Sequence, residues 1–342
     1  MFTIQFRNCV TTRMELNGRP TNNEQRFLSI LSKITSLLGT LGALWIVIDI
    51  LSNKDKRKRS KERLLFVVSV TDLIQSTSLF FGTWAMPADT QIYGALGSQT
   101  TCNIQGFLLI FSNVCTSLYS ACFGIYFLLL AISRWDVSPG IEIFMHVFNL
   151  TWSLIASTVG LFQKSYNPSV ISCFLSKWPL ECSGDECIRG DKNVELTKFF
   201  VGFSMITSYV IYCPALIMIY CAISKEMEIS VSNDPVRLTI YRTIQRQALQ
   251  YLGAFYLTFT FPIIIRVYHV ASKSPSIVIS ILAAIFYPLK GFLNALIYKQ
   301  VEISRFWKRF RIQSKSNEVT REPIILSLPS VDNISRNEEF TT

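Results

Sequence analysis

The sequence predicts an all-α membrane protein, a bundle of seven transmembrane helices followed by an amphipathic eighth helix. Half of the 342 residues are hydrophobic and only 16% are charged, whereas soluble proteins carry about 25% charged residues. Long apolar segments recur along the whole chain, and clusters of Lys and Arg lie between some of them. These observations exclude a pair of soluble domains and favour a protein that crosses a membrane several times.

Seven apolar segments each have more than the roughly 20 residues that a helix needs to cross the hydrocarbon core. Only helices satisfy their own backbone groups in such segments. The segments are Phe27–Leu51, Leu64–Met86, Asn103–Ser133, Ile141–Gln163, Phe199–Ile223, Ala248–Ala271 and Ser276–Tyr298. We expect residues 1–26 to form an extracellular tail and residues 27–298 to form the bundle.

Basic residues predict the orientation. The loop between the first two segments holds seven of them, Lys54, Lys56, Arg57, Lys58, Arg59, Lys61 and Arg63. By the positive-inside rule this loop and the C-terminus are cytoplasmic and the N-terminus is extracellular, which fits a multi-pass protein of the plasma membrane. Anionic lipids of the inner leaflet account for the net charge of +10, so no nucleic acid is expected as a partner.

Four cysteines fall on the predicted outer side, where disulfides persist. They are Cys102, Cys173, Cys182 and Cys187, and four cysteines allow three pairings. We favour Cys102–Cys173, which ties the start of the third helix to the following outer loop, with Cys182–Cys187 closing a small loop. A Cys102–Cys187 bond is the main alternative, and Cys9 is left over.

The sixth helix is expected to be long. Asp234 and Pro235 form an N-cap and first-position pair, so a helix from there to Ala271 protrudes from the bilayer at the cytoplasmic side. Arg242 and Arg246 lie four residues apart on it and, with Arg134 at the end of the third helix, are candidates to face a cytoplasmic partner. Pro262 is expected to act as a hinge.

After Tyr298, apolar residues recur at helical spacing at Ile303, Phe306, Trp307 and Phe310. This pattern predicts an amphipathic helix over residues 299–312 that lies on the inner leaflet. Residues 313–342 are polar and rich in Ser and Thr, which predicts a disordered cytoplasmic tail. Such a tail is a candidate substrate for kinases and a docking segment for arrestin-like proteins.

Only a few ionisable residues lie well inside the predicted helices, and two of them are singled out by their depth. Asp72 is eight residues from the cytoplasmic end of the second segment, and Lys290 is eight residues from the cytoplasmic end of the last. Both therefore lie at a depth of about 12 Å, where an isolated charge is costly. We expect an ion pair between Asp72 and Lys290, with Asn294 one turn away; the alternative is that each finds its own water or backbone partner.

No catalytic constellation, metal-binding motif or cofactor motif is visible, so the sequence does not indicate an enzyme. Aromatic and basic residues near the outer halves of the helices are instead candidates to line a ligand pocket. They are Arg266, His269, Trp84, Phe107 and Tyr287.

Several of these features resemble G-protein-coupled receptors, in particular the cyclic-AMP-receptor-like family of slime moulds, fungi, protists and plants. Residues 69–73 resemble the Ser-x-Ala-Asp-Leu run of receptor helix two. Residues 288–298 read Pro-Leu-Lys-Gly-Phe-Leu-Asn-Ala-Leu-Ile-Tyr and resemble the family's helix-seven motif Pro-Leu-Gln-Gly-Phe-x-Asn-x-x-x-Tyr, with Lys290 in place of the glutamine. His146, Trp152 and Cys173 add weaker matches.

The resemblance implies a receptor for an extracellular small molecule or peptide, such as a cyclic nucleotide, that activates a heterotrimeric G protein by rearranging helices six and seven. It implies the Cys102–Cys173 disulfide, switch roles for Asn294 and Tyr298, and a second hinge at Pro288. The Asp-Arg-Tyr triplet of rhodopsin-like receptors is missing, because helix three ends in Ser133-Arg134-Trp135.

Two other classes of seven-helix protein share some of these features. A retinal-binding microbial rhodopsin also carries a lysine in helix seven, but Phe286 stands where its helix-seven aspartate is expected, and helix three has no acidic residue between Cys102 and Arg134. The second alternative is a transporter or channel without G-protein coupling. Polar residues mark no obvious path for a substrate, since helices three and five carry no charge.

Overall fold

The computed structural model describes residues 21–90, 92–133, 138–179, 182, 187–190, 198–209, 211, 217, 218, 221, 235–270 and 277–300. For residues 130–133, 235–245, 266, 269 and 270 it describes the backbone alone. The predicted eighth helix beyond residue 300, the cytoplasmic tail, Cys9 and Arg134 lie outside the described residues.

Helix α1 spans Asn22–Ser52 and begins five residues before the apolar segment that predicts it. Its first turn is polar, but Thr21 and Glu24 form a reciprocal capping box. The Thr21 hydroxyl accepts from the Glu24 amide at 3.3 Å, and the Glu24 carboxylate accepts from the Thr21 amide at 2.8 Å. The cap satisfies backbone amides that have no partner at a helix start. Residues 22–26 therefore belong to the helix rather than to the N-terminal tail.

The next three helices form antiparallel neighbours joined by short connections. A single helical turn, Lys54–Arg57, follows α1. Helix α2 spans Ser60–Phe81 and continues as a 3-10 turn over Gly82–Ala85. Helix α3 spans Gln99–Ser133 and α4 spans Pro139–Phe162, with the Ser138 hydroxyl as its N-cap.

Helix α5 is described over residues 198–209, and α6 spans Pro235–Val270, with Pro262 inside it. Helix α6 is described over 36 residues, one fewer than the predicted helix from Pro235 to Ala271. Helix α7 differs from the expected continuous segment, because it consists of Ile277–Phe286 and Lys290–Gln300 with a bend of 48° between them.

The bend in α7 falls where Pro288 lacks the amide that would continue the helix. Carbonyl groups near the break are then paired with side chains of other helices. The Thr35 hydroxyl of α1 donates to the Ala284 carbonyl at 2.8 Å, and the Ser76 hydroxyl of α2 donates to the Pro288 carbonyl at 3.2 Å. These bonds keep the broken backbone satisfied inside the bundle.

Two short antiparallel strands lie in the connection after α4, β1 (Tyr166–Pro168) and β2 (Cys173–Leu175). They cover the start of α3, to which β2 is bonded by the Cys102–Cys173 disulfide. We call this the disulfide end of the bundle. The opposite end, which carries the loop between α1 and α2, is the basic end.

Helix α3 is the centre of the described bundle. In its most apolar stretch of 18 residues, 83% is buried, against 33% in the corresponding stretch of α4. Large apolar side chains of α1 and α4, such as Ile34, Ile143 and Phe144, are exposed instead. Five described helices are long and apolar enough to cross a membrane, and the two parts of α7 make a sixth span. The prediction of a multi-pass membrane protein is confirmed in this form.

Glycines bring α1 and α7 into backbone contact. A Cβ atom at Gly42 would lie 2.5 Å from the Phe292 Cα atom and 2.9 Å from the Gly291 carbonyl oxygen. A Cβ at Gly39 would overlap the Pro288 carbonyl oxygen. Because backbone atoms cannot move aside as flexible side chains do, only glycine fits at this contact.

We predict that Gly42→Ala destabilises the folded protein by about 1 to 3 kcal/mol, because the added methyl group overpacks the contact between α1 and α7. Thermal unfolding of the purified protein measures the effect. Gly253→Ala is the matched control, since Gly253 is helical and has no atom within 4 Å of the added Cβ. Alanine is the better helix former, so this control should be neutral or stabilised by up to about 1 kcal/mol. Equal melting temperatures for both variants would contradict the prediction.

Candidate functional site

An ion pair lies between α2 and α7 in the interior of the bundle. Lys290 Nζ is 3.5 Å from Asp72 Oδ1, and the two side chains are 5% and 0% exposed. The structure therefore brings together the two intramembrane charges that the sequence singles out. A buried charge needs a partner of opposite sign and further hydrogen bonds to be tolerated.

Side chains of two neighbouring helices, α3 and α7, hold the Asp72 carboxylate. The Asn294 amide donates to Oδ2 at 2.8 Å, and the Thr116 hydroxyl of α3 donates to Oδ1 at 3.4 Å. Thr116 is also bonded to the Thr71 hydroxyl at 2.8 Å. The arrangement joins α2, α3 and α7 at one level, so a movement of α7 changes the surroundings of the carboxylate.

Helical spacing explains why Lys290 and Asn294 reach the same carboxylate. Lys290 opens the second part of α7, and Asn294 follows four residues later on the same face. On the side of α6, the Phe259 and Phe255 rings lie 4.9 and 6.0 Å from Lys290 Nζ. These ring faces attract the ammonium group in addition to Asp72.

At the basic end, α7 is tied to α1. The Tyr298 hydroxyl donates to Asp49 Oδ2 at 2.7 Å, and Lys56 Nζ lies 2.7 Å from the same oxygen. The sequence predicts a switch role for Tyr298 but not its partners. The signal for them is Asp49, an acidic residue close to the end of an apolar segment.

A second contact at the basic end joins α2 to α6. Lys61 Nζ donates to Gln247 Oε1 at 2.7 Å. Beside it, the Tyr251 ring stacks on Phe123 and Phe127 of α3, with centroids 5.6 and 6.5 Å apart. Together these contacts hold the described part of α6 against α2 and α3. We call the Asp49–Tyr298 and Lys61–Gln247 contacts the two latches.

A third polar cluster at the basic end joins α2 to α4. The Arg63 guanidinium donates two hydrogen bonds to Glu142, at 2.5 and 2.6 Å, and further bonds to the Arg57 and Lys58 carbonyls. His146 Nε2 lies 3.6 Å from Glu142, and His146 Nδ1 is bonded to the Tyr119 hydroxyl at 2.7 Å. The cluster fixes the short loop after α1 to the start of α4.

At the disulfide end, the bonds are Cys102–Cys173 and Cys182–Cys187, which is the pairing favoured from the sequence. Gln105 reinforces the first bond, since its side chain accepts from the Cys173 amide at 2.8 Å. Its amide donates to the Ser78 and Gly82 carbonyls at 2.8 and 2.9 Å. The hairpin, α2 and α3 are therefore joined into one rigid corner.

Arg189 lies beside this corner with neutral hydrogen-bond partners. Its guanidinium donates to Asn167 Oδ1 at 3.0 Å and to Asn103 Oδ1 at 3.3 Å, and no carboxylate of the described residues pairs with it. Burial lowers the pKa of Arg189 from its ordinary value. The backbone of Arg189 is paired with that of Trp178, and Trp178 lines a crevice at this end of the bundle.

The crevice has a volume of about 400 Å³ and lies between the hairpin and the loop that joins α2 to α3. Four of its nine lining residues are polar, and one of these four is acidic. The lining residues are Pro87, Ala88, Asp89, Thr90, Gly97, Ser98, Gln99, Pro168 and Trp178. A crevice of this size admits a small molecule.

The predicted pocket residues contact different neighbours. Lys33 Nζ lies 3.6 Å from the centre of the Trp84 ring, so Trp84 packs towards α1. Phe107 packs on the cluster around Tyr166, and the Tyr287 ring lies 6.0 Å from Phe259. The side chains of Arg242, Arg266 and His269 lie outside the described atoms. Arg246 is exposed and precedes Gln247.

Among the described residues, no group of three or more His, Cys, Asp or Glu side chains is arranged to hold a metal ion. Asp72 and Lys290, which meet in the interior, carry opposite charges, so the pair has no net charge.

No family model matches the sequence, and no curated protein sequence matches it either. Among solved structures, the crystal structure of squid rhodopsin is similar, with a TM-score of 0.59 over 82% of this chain and 82% of the squid protein. The two sequences are 14% identical over this alignment. The similarity shows the fold alone, a bundle of seven transmembrane helices.

Proposed function

We propose that this protein is a G-protein-coupled receptor that binds an extracellular ligand and activates a heterotrimeric G protein through a rearrangement of α6 and α7. The observation that carries the proposal is the pair of latches at the basic end. They tie α7 to α1 through Tyr298 and α6 to α2 through Gln247. A receptor needs contacts of this kind, because a closed arrangement has to be favoured until a ligand binds.

The basic end is cytoplasmic in this proposal, and the disulfide end is extracellular. The basic loop after α1 faces the anionic lipids of the inner leaflet, and the protein resides in the plasma membrane. The G protein binds the cleft that opens at this end, near Arg134, Arg242 and Arg246. The eighth helix over residues 299–312 lies on the same leaflet, and the tail beyond it is open to kinases and arrestin-like proteins.

Activation is a population shift between two arrangements of the same helices. A ligand that binds the open arrangement more tightly has to offset the latches and the Phe123–Tyr251 stacking. Pro262 and Pro288 are the hinge positions, since neither continues the hydrogen-bond pattern of its helix. The Asp72–Lys290 pair and Asn294 lie between the two ends and couple a shift of α7 to α2 and α3.

The ligand enters at the disulfide end and is a small molecule or peptide. The Arg189 guanidinium, which has only neutral partners among the described residues, favours a ligand with a negative charge. Cyclic nucleotides belong to this class, as do carboxylates. Arg266 and His269 are expected to add to the positive charge, and Trp84, Phe107 and Tyr287 to the aromatic lining of the helices.

Nucleotide exchange tests the proposal directly. The purified protein in lipid discs is mixed with G-protein α subunits from the source organism and a panel of anionic metabolites that includes cyclic nucleotides. Receptor-dependent exchange that one compound raises would support the function and identify the agonist. Absence of exchange from protein shown to be folded would overturn it, and substrate uptake by the same protein would then favour a transporter.

The latch between α2 and α6 gives a sharper prediction. Lys61→Met and Gln247→Leu should each raise basal exchange about fivefold, because one lost hydrogen bond of about 1 kcal/mol shifts the equilibrium by that factor. Basal exchange of the double variant should be no higher than that of either single variant, since both changes remove the same bond. Lys58→Met is the matched control, as its side chain is 78% exposed. Unchanged basal exchange in both single variants would contradict the role of the latch.

A further inference from the structure

Two cationic side chains of α1 lie against aromatic rings at the disulfide end of the bundle. Arg26 and Lys33 are seven residues apart in this helix, so they share one face and are separated by about 10 Å along the axis. Arg26 Cζ lies 5.5 Å from the centre of the Tyr93 ring, and Lys33 Nζ lies 3.6 Å from the centre of the Trp84 ring. We call these four residues the Lys33 patch.

The two pairs of cation and ring adjoin each other. A Cβ atom at Gly94, which follows Tyr93 in the chain, would lie 3.8 Å from Trp84 Cδ1 and 3.9 Å from Trp84 Nε1. The backbone beside Tyr93 is therefore in contact with the Trp84 ring. Both aromatic side chains are 42% exposed, so the Lys33 patch is one continuous part of the protein surface.

The positive charge of the Lys33 patch is not neutralised within the described part of the chain. Neither cation forms an ion pair with a described carboxylate. Glu24, the acid nearest in sequence, accepts from the Thr21 amide instead. Lys33 Nζ donates to the Phe81 carbonyl at 3.5 Å, which is long for a hydrogen bond. The aromatic rings attract the cations but carry no net charge, so the patch keeps a charge of about +2.

The surface that surrounds Lys33 is apolar and exposed. Ile30 and Leu37, three residues before it and four residues after it, are 45% and 47% exposed, and Ile34 is 57% exposed. Across the contact with α2, Phe81 is 51% exposed. An exposed apolar surface of this kind on a bundle that crosses a membrane faces the acyl chains of lipids. The molecules that meet the Lys33 patch from outside are therefore lipids.

We propose that the Lys33 patch binds an anionic phospholipid in the leaflet at the disulfide end. Lys33 is six residues inside the first apolar segment, at a depth of about 9 Å, and its flexible stem lets the ammonium reach the headgroups. There it donates charge-assisted hydrogen bonds to the lipid phosphate. Arg26, nearer the aqueous edge, attracts the rest of the headgroup, and the acyl chains lie along Ile30 and Leu37.

The arrangement of the cations also selects among headgroups. A choline headgroup carries a quaternary ammonium, which aromatic rings can bind. In the Lys33 patch each ring already has a cation of the protein over it, and these cations repel a second one. A headgroup with a net negative charge is therefore preferred. The inference requires only that the bundle crosses a membrane, and it is independent of the proposed receptor function.

Lipid binding by the purified full-length protein tests the proposal. Phosphatidylglycerol is titrated into the protein in a neutral detergent, and native mass spectrometry counts the lipids that stay bound. Lys33→Met and Arg26→Met should each weaken the site about tenfold, because each variant loses a charged contact to the headgroup. Lys33→Arg keeps the charge and should bind like the parent. Lys164→Met is the matched control, since Lys164 is an exposed cation after α4.

The choice of lipid separates the possible ligands. Phosphatidylcholine with the same acyl chains should bind the parent more weakly than phosphatidylglycerol, and equal binding would overturn the preference for an anionic headgroup. Soluble glycerol phosphate should not compete, and competition at equal concentration would mean that a free phosphate is the ligand. Unchanged affinity in both methionine variants would overturn the site itself.

A localisation experiment places the lipid independently of any variant. Phosphatidylglycerol with a photoreactive group near the start of one acyl chain should label the parent on α1 within a turn or two of Lys33. Peptide mapping by mass spectrometry identifies the labelled residues. Labelling confined to the basic end of the bundle would overturn the proposal. If Lys33→Met melts at a lower temperature than the parent without lipid, this labelling and the Lys33→Arg variant decide the outcome.

Discussion

Replacing Lys290 with methionine should lower the free energy of unfolding by about 3 to 5 kcal/mol, because it leaves the Asp72 carboxylate buried without its counter-charge. The carboxylate keeps the hydrogen bonds from Asn294 and Thr116, but these donors carry no net charge. Asp72→Asn should also destabilise the protein, since Lys290 then lies 4% exposed with no anion beside it. Thermal unfolding of the purified protein in lipid discs measures both effects.

The double variant Asp72→Asn/Lys290→Met is the decisive member of the series. It removes both charges at once, so it should be more stable than either single variant. Lys58→Met removes a charge from the exposed loop and should change stability by no more than about 0.5 kcal/mol. If the two single effects simply add in the double variant, the residues act independently. An Asp72→Asn protein that folds and signals like the parent would show that the pair is unimportant.

Loss of the Cys102–Cys173 bond should have an effect of similar size. The cysteines are separated by 71 residues, so chain-entropy arguments give about 4 kcal/mol for the Cys102→Ser/Cys173→Ser variant. The bond also holds β2 where Gln105 accepts from the Cys173 amide. We expect a lower melting temperature and a lower amount of protein at the cell surface, measured by labelling an epitope at the N-terminus.

The second disulfide supplies the comparison. Cys182 and Cys187 are only five residues apart, and the same relation gives about 2 kcal/mol for their removal. The Cys182→Ser/Cys187→Ser variant should therefore keep most of the stability and surface level of the parent. If the Cys182→Ser/Cys187→Ser variant were the less stable of the two double variants, the hairpin would stay in place without its covalent bond to α3.

The features that the sequence predicts well are those carried by local composition or by depth. Apolar segments predict the spans, because a helix in lipid needs a long run of apolar side chains whatever its neighbours are. The proximity of Asp72 and Lys290 follows from equal distances to the same ends of their segments and from the cost of an isolated charge. The contact of Asp72 with Thr116 on α3 could not be predicted in this way. A threonine in an apolar segment is common and gives no hint of its neighbour.

The features that the sequence does not predict depend on contacts between helices. Arg63, Lys56 and Lys61 read as members of a solvated basic loop, yet each is bonded to a side chain of α4, α1 or α6 in the folded protein. Long flexible side chains reach partners that spacing alone does not reveal. The sequence predicts the start of α1 five residues too late, because the first turn of this helix is polar and is stabilised by a cap rather than by apolar burial.

The distance along the chain between the members of the ion pair has a consequence for biosynthesis. Asn294, in the same half of α7 as Lys290, is made 222 residues after Asp72. At about 5 to 20 residues per second, the ribosome takes roughly 10 to 45 s to reach it. During that interval α2 has to wait in the translocon or the bilayer with an acidic side chain whose counter-charge has not been synthesised.

Thr116 follows Asp72 by only 44 residues, so α3 is the first helix able to offer the carboxylate a hydrogen bond. The nascent chain is therefore expected to depend on early pairing of α2 with α3. Translation that stalls before α7 emerges would leave an intermediate with a buried acid, which is the kind of species that membrane quality control removes.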